Sequence, residues 1–486
     1  MKASDVSEIL GDWATAAGAL HIRLGAGIKD AIRQGNLLPG AKLPSERALA
    51  KALAVSRTTV LSAYNELRAG EWLESRAGSG TWVNRTTAVN ARTQARARVL
   101  SRSPLLNLLL AEGSGAIDFG AATPMPLATL PEGAFELPEQ QFRLLLQERD
   151  YMPLGFPALR ERIAARYSKL GAKTSAEQIL ITTGAQQAIS LITALCVQRG
   201  DPVLVEDPTF FGALEILRFT GARLTSLPVS PDHIAVHTLR NRILTVSPRL
   251  LYVTPTFQNP TGATMSDSSR QAIAEMISEF EIPTIEDETL AELVLEDGRP
   301  RPISAFGGGD NIFTVGSLSK LFCAGLRVGW IRASTAQIAR LARIKSSMDL
   351  GSALLPQAIG AQLMTHFEHA VRLRQAELLP KRDLVEKCLR EQLPDWNFMR
   401  PRGGPCIWAK LPSGDAAAFA QVALRRRVVI AYGNMFSAGG SCGAYVRIPF
   451  LLDAESLQLG MEHLREAWHE MQTTNVEFRQ EPAVMI

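Results

Sequence analysis

From residue 117 onward, short apolar runs alternate with stretches of helical spacing. The runs 179–183, 203–206, 250–253, 282–286, 312–315 and 326–331 have the length and composition of buried strands. Residues 185–197 and 268–280 carry apolar positions at helical intervals. This alternation predicts an α/β domain with a mainly parallel sheet, whose ligands gather at the strands' C-terminal ends.

The N-terminal pattern is different. Leu24, Ile28 and Ile32 fall at helical spacing, and Gly35 ends that helix. Ser45 then caps a short helix over 46–53, and Ser56 caps a third in which Val60, Tyr64 and Leu67 share a face. Only Ala54-Val55 lies between them, the spacing of a helix-turn-helix. Arg57, Thr58 and Thr59 begin the third helix with the donors and methyl groups that base edges accept. Residues 72–83 read as a hairpin tipped by Gly78 and Gly80, with basic Arg76 beside the tip. Glycine lets such a wing approach a nucleic-acid backbone closely.

Charge sharpens this picture. Residues 84–111 hold five arginines and no acid, while the whole chain of 486 residues carries only +4. The positive end is therefore N-terminal, as expected of nucleic-acid contact. Residues 84–116 read as a basic flexible linker, interrupted by an apolar patch at 105–110. No apolar run nears the roughly 18 residues that would span a bilayer. The five scattered cysteines have no metal spacing and read as reduced thiols, so the expected location is the cytoplasm. An N-terminus with early acids, Asp5, Glu8 and Asp12, reads as lacking a secretory signal.

The candidate chemistry centres on Lys320, between two apolar runs, with Ser317, Ser319 and Arg327 near it in sequence. A buried lysine tends to lose its proton, and the neutral amine attacks aldehydes. Hydroxyls and a guanidinium suit a phosphate. Together they fit pyridoxal 5′-phosphate. Gly184, Ala185 and Gln186 open a helix whose free N–H groups suit that phosphate. Phe210 offers a ring to stack on the pyridine, Asn259 an amide for the ring oxygen, and Asp287 a carboxylate for the pyridine nitrogen. Each feature is commonplace alone; their order and strand-end placement select the cofactor.

Residues 19–83 resemble the winged-helix domain of GntR-type transcription regulators. That resemblance adds Arg47 and the wing around Arg76 and Gly78 to the DNA-contact set of Ser45, Ser56, Arg57, Thr58 and Thr59. Residues 117–470 resemble the fold-type I aminotransferases. The resemblance implies that Lys320 holds the cofactor as a Schiff base, that Tyr151 reaches the phosphate from a neighbouring subunit, and that Arg447 forks onto an effector carboxylate. The two halves in this order resemble the MocR subfamily, which implies a head-to-tail homodimer on double-stranded DNA. The expected layout is a winged helix-turn-helix over 1–83 and the linker over 84–116. A large domain over about 117–333, an α+β small domain over about 334–470 and a tail over 471–486 follow. The expected function is a regulator that senses an amino acid or amine by exchange at Lys320. An active aminotransferase with a DNA-binding module and a regulator sensing the cofactor itself are the alternatives. One departure bears on the choice. Family members usually carry a tyrosine shortly after the aspartate, and here Thr289 or Leu290 stands in its place.

Overall fold

The computed structural model describes residues 2–84 and 116–480, except 12, 16–17, 34, 77–79, 128–129, 132, 148–150 and 232. The apolar patch at 105–110, most of the linker and Gly78 lie outside the described residues.

The N-terminal unit comprises helices α1 (Ala3–Leu10), α2 (Leu20–Arg33), α3 (Glu46–Leu53) and α4 (Arg57–Ala69), then strands β1 (Leu73–Arg76) and β2 (Gly80–Val83). The caps are those read from the sequence. Ser45 accepts from the Ala48 amide at 3.3 Å, and Ser56 accepts from the Thr59 amide at 3.0 Å. Between α3 and α4, Ala54 takes the left-handed conformation at φ 49°, which makes the turn tight. Leu24, Ile28, Leu49, Leu53, Val60, Tyr64 and Leu67 form one core, and the Tyr64 hydroxyl donates to the Pro44 carbonyl at 3.0 Å. The wing strands pair antiparallel, and Arg68 on α4 ties them to the helices by donating to Thr81 Oγ1 at 3.0 Å. Helix α1, which the sequence reading did not separate, packs onto α3.

The larger unit adds strands β3 (Ile117–Phe119), β4 (Ile179–Thr182), β5 (Pro202–Asp207), β6 (Arg223–Pro228), β7 (Leu250–Val253), β8 (Thr284–Asp287), β9 (Ile312–Ser317), β10 (Gly329–Arg332), β11 (Asn397–Phe398), β12 (Cys406–Lys410), β13 (Val428–Tyr432) and β14 (Tyr445–Pro449). One seven-stranded sheet runs β4-β10-β9-β8-β7-β5-β6. It is parallel except for β10, which runs against both neighbours. The second sheet runs β11-β12-β14-β13-β3. The helices that position the sites are α5 (Ala185–Cys196), α6 (Phe211–Thr220), α7 (Asp267–Glu279), α8 (Phe367–Gln392), α9 (Ala416–Arg425) and α10 (Ala454–Gln480).

Three expectations need correction. The strand expected at 326–331 begins only at Gly329, because residues Ala324–Leu326 form a 3-10 turn and Arg327 is left-handed at φ 51°. Residues 117–119, assigned to the large domain, form β3 and pair with β13 in the small sheet. The tail expected from 471 continues α10 to Gln480, and Met471 is buried in the small-sheet core. Strand β6 escaped the sequence reading because its residues are polar and apolar by turns and only Leu227 is buried, so they form no apolar run.

Candidate functional site

The C-terminal ends of β8 and β9 open onto a cavity of about 400 Å³, within the usual range for small-ligand sites. Its lining includes Ala185, Gln186, Phe210, Asn259, Asp287, Thr289, Leu290, Ser317, Ser319, Lys320, Arg327 and Arg447. The expected cofactor residues are thus brought together from six stretches of chain. Gly184 stands at the edge, at φ 124°, as the N-cap of α5. A side chain there would meet the Arg327 guanidinium at 2.8 Å, so glycine leaves the arginine room beside the helix start. Tyr151 is the exception: it is 68% exposed and does not line this cavity.

Around Lys320 the electrostatics shift the amine toward its neutral form. Its Nζ donates to the Ala122 carbonyl at 2.5 Å. Burial, and then the positive charge of Arg447, lower its pKa to about 8. About a tenth of the amines are then neutral at pH 7, against well under one in a thousand for an unshifted lysine.

Asp287 ends β8 with both carboxylate oxygens engaged. Oδ2 accepts from the Tyr252 hydroxyl at 2.6 Å, and Oδ1 from the Thr289 amide at 2.9 Å. Burial and the carboxylate together raise the Tyr252 pKa far above its usual value, which keeps the phenol a donor. Tyr252 was invisible as a site residue in the sequence, since it sits inside an apolar strand and reads as core.

Arg447 is buried on β14. It donates to the Gly120 carbonyl and, at 3.5 Å, to Asn259 Oδ1. The rings of Phe436 and Phe211 lie 4.9 and 5.8 Å from its guanidinium carbon. Its Nε has no partner, and neither do Ser319 Oγ and Thr289 Oγ1. Three such buried orphans in one cavity are the mark of a site built for a polar ligand. The arrangement fits pyridoxal phosphate: a hydroxyl, a guanidinium and a helix start for its phosphate, a held carboxylate for its nitrogen, and a lysine for its aldehyde. Leu290 and Thr289 both face the cavity where a tyrosine was expected, so no phenol from this stretch reaches a ligand.

On the N-terminal unit, Ser45, Arg47, Ser56, Arg57 and Thr58 are exposed and Thr59 is half-buried. The Ser56 hydroxyl lies 2.7 and 2.8 Å from those of Thr58 and Thr59, so these hydroxyls also serve the cap. Among the described residues, Arg47 and Arg57 have no ion-pair partner. Arg76 ends β1 at the wing.

Comparison with known proteins agrees with this geometry. The class I and II aminotransferase family matches residues 130–464, and the bacterial gntR regulatory family matches residues 22–83. The chain is 30% identical over 465 residues to the uncharacterised HTH-type transcriptional regulator YdfD of Bacillus subtilis, covering 90% of this chain and 94% of that one. It is 28% identical over 380 residues to aromatic-amino-acid aminotransferase 1 of Thermococcus litoralis, covering 74% and 89%. The structure of LysN, an α-aminoadipate aminotransferase from Thermus thermophilus, matches with a TM-score of 0.70 at 26% identity, over 77% of this chain and 96% of that one. The chain belongs to the class I and II aminotransferase family, in the branch of GntR-type regulators that carry this domain, the MocR-type regulators. Among the described residues no helix is long and apolar enough to cross a membrane.

Proposed function

We propose that this protein is a DNA-binding transcription regulator that reads an amino acid or amine through its bound pyridoxal phosphate. The observation that carries the reading is the coexistence, in one chain, of an intact lysine–aspartate–arginine constellation and a capped helix-turn-helix with exposed arginines at positions 47 and 57. When bound, the cofactor would supply an aldehyde that an amine can attack. Lys320 provides the amine. Asp287, held by Tyr252, keeps a proton on the ring nitrogen, while Asn259 and Phe210 orient the ring. Ser317, Ser319, Arg327 and residues 184–186 take the phosphate. Arg447 meets the effector's carboxylate in a fork that a lysine cannot make.

Tyr151, exposed and outside this cavity, supports a homodimer, since the family resemblance assigns that tyrosine to a neighbouring subunit's phosphate. The exposed apolar side chains of Met348, Leu350 and Leu355 are further candidates for that interface. A head-to-tail pair would set two winged helices on two half-sites. A DNA target and scattered unpaired cysteines support work in the cytoplasm.

The rival reading is a working aminotransferase. Thr289 and Leu290 favour the regulator, because the absent tyrosine leaves the ring oxygen one donor short. The test is turnover: with a panel of amino donors and a keto acid, the regulator shifts its absorption to a stable new band and releases no product. Steady product release would overturn the reading.

Two smaller effects are expected. Capture of the cofactor by the ligand-free protein should speed up as pH rises from 6 to 9, with a midpoint near 8, because only the neutral Lys320 amine attacks. Stopped-flow absorbance measures it. Arg57→Ala should weaken binding to a selected operator duplex by about tenfold or more, measured by fluorescence anisotropy across a salt series. If Arg57 pairs only with a phosphate, the salt slope falls by about one and all sequences weaken alike.

A further inference from the structure

The helix-turn-helix does not stand free of the effector domain. Helix α9 rests against α3 and against the short turn Trp13–Thr15. Arg425, in the last turn of α9, donates to the Leu53 carbonyl at 3.3 Å and to the Ala54 carbonyl at 3.1 Å. Those are carbonyls at the C-terminal end of α3, where the helix leaves acceptors unpaired and favours a cation. The same guanidinium donates to Glu470 on α10 at 3.1 Å. Arg426 holds Glu470 from the other side at 3.0 Å and reaches Glu466 at 3.2 Å. Ala54 also packs on the apolar core of the small sheet.

We propose that the α9–α10 face bearing Arg425, Arg426 and Glu470 is the seat of the DNA-binding head, and that it joins the effector strand to the helix-turn-helix. This rests on the regulator reading above. The route is short. Arg447 on β14 lies opposite Ala431 on β13, and β13 begins three residues after Arg425. Anything that moves Arg447 and its sheet as a body therefore moves the cation that caps α3. The contact is also releasable. Burying Arg425 costs solvation, which three hydrogen bonds offset, and all of these groups find water when the head lifts. A contact so nearly balanced is one that a modest differential binding energy can shift.

Hydrogen exchange by mass spectrometry tests this on the full-length, cofactor-loaded protein. The amides of Ala54 and Val55, both bonded back to α3 in the seated state, report on it. Arg425→Ala should speed their exchange at least tenfold and Glu470→Gln about threefold, with the cofactor's absorption unchanged. Loading N-(5′-phosphopyridoxyl)-L-leucine in place of the cofactor, so that one molecule presents ring, phosphate and carboxylate to the site, should shift the same amides at least threefold in the unaltered protein and not in Arg425→Ala. Exchange in Arg425→Ala equal to that of the unaltered protein would overturn the seat. An equal adduct shift in both would overturn the link. Loss of the cofactor band from every protein would instead count against the functional reading, and the comparison of Arg425→Ala with the unaltered protein would still judge the seat.

Discussion

Lys320→Ala protein should fold, bind DNA and be colourless. Borohydride treatment of the unaltered, cofactor-loaded chain should fix one cofactor mass per chain on the peptide containing Lys320, and none in the variant. The expectation follows from position. Lys320 Nζ sits on the Ala122 carbonyl inside the cavity, with a pKa of about 8 that burial and Arg447 enforce. Among the described residues no other lysine lines the cavity, so nothing replaces it. The DNA-binding head has its own core, centred on Leu49, Leu53, Val60 and Tyr64, which the substitution does not touch. Circular dichroism and duplex binding therefore serve as controls within the same preparation.

Arg447→Gln should blind the protein to its effector while leaving its colour. The glutamine keeps a polar side chain between Gly120 and Asn259 but removes the charge and the fork. Loss of a charged, buried partner of this kind costs about 2–4 kcal/mol, or roughly 30- to 1000-fold in effector affinity. Absorbance titration with the amino acid that shifts the unaltered protein measures it. The cofactor residues Asp287, Phe210 and Ser319 lie on other strands and loops and the Arg447–Asn259 contact is long at 3.5 Å, so cofactor affinity should change far less than effector affinity, while loss of the charge lets the Lys320 pKa rise. The variant also separates two regulators. One that senses an amino acid goes silent, whereas one that senses the cofactor alone still answers to it.

The site was legible in the sequence wherever chemistry and backbone geometry coincide at one position. Asp287 ends a strand, Gly184 opens a helix, and Asn259 and Lys320 lie in the turns that follow β7 and β9, so the cavity collects them because parallel strands finish on one edge. Ser45 and Ser56 were legible for the same reason, since a cap needs a particular side chain at a particular place. Tyr252 was not, because its hydroxyl serves a partner 35 positions away and its strand context reads as core. The carbonyls of Gly120 and Ala122 were hidden because any residue supplies a carbonyl. The reversal of β10 was hidden because an apolar run has no direction, and β3 joined the small sheet through a pairing with a strand over 300 residues later. The Arg425 contact is likewise a meeting of distant segments, with no trace in either one.

The most direct measurement follows absorbance and DNA anisotropy in one cuvette while amino acids and amines are added to the cofactor-loaded protein on a labelled operator. One class of ligand should move both signals at the same concentrations, and neither should move in Arg447→Gln. A ligand that shifts the cofactor's absorption to completion while the DNA signal stays fixed would contradict it.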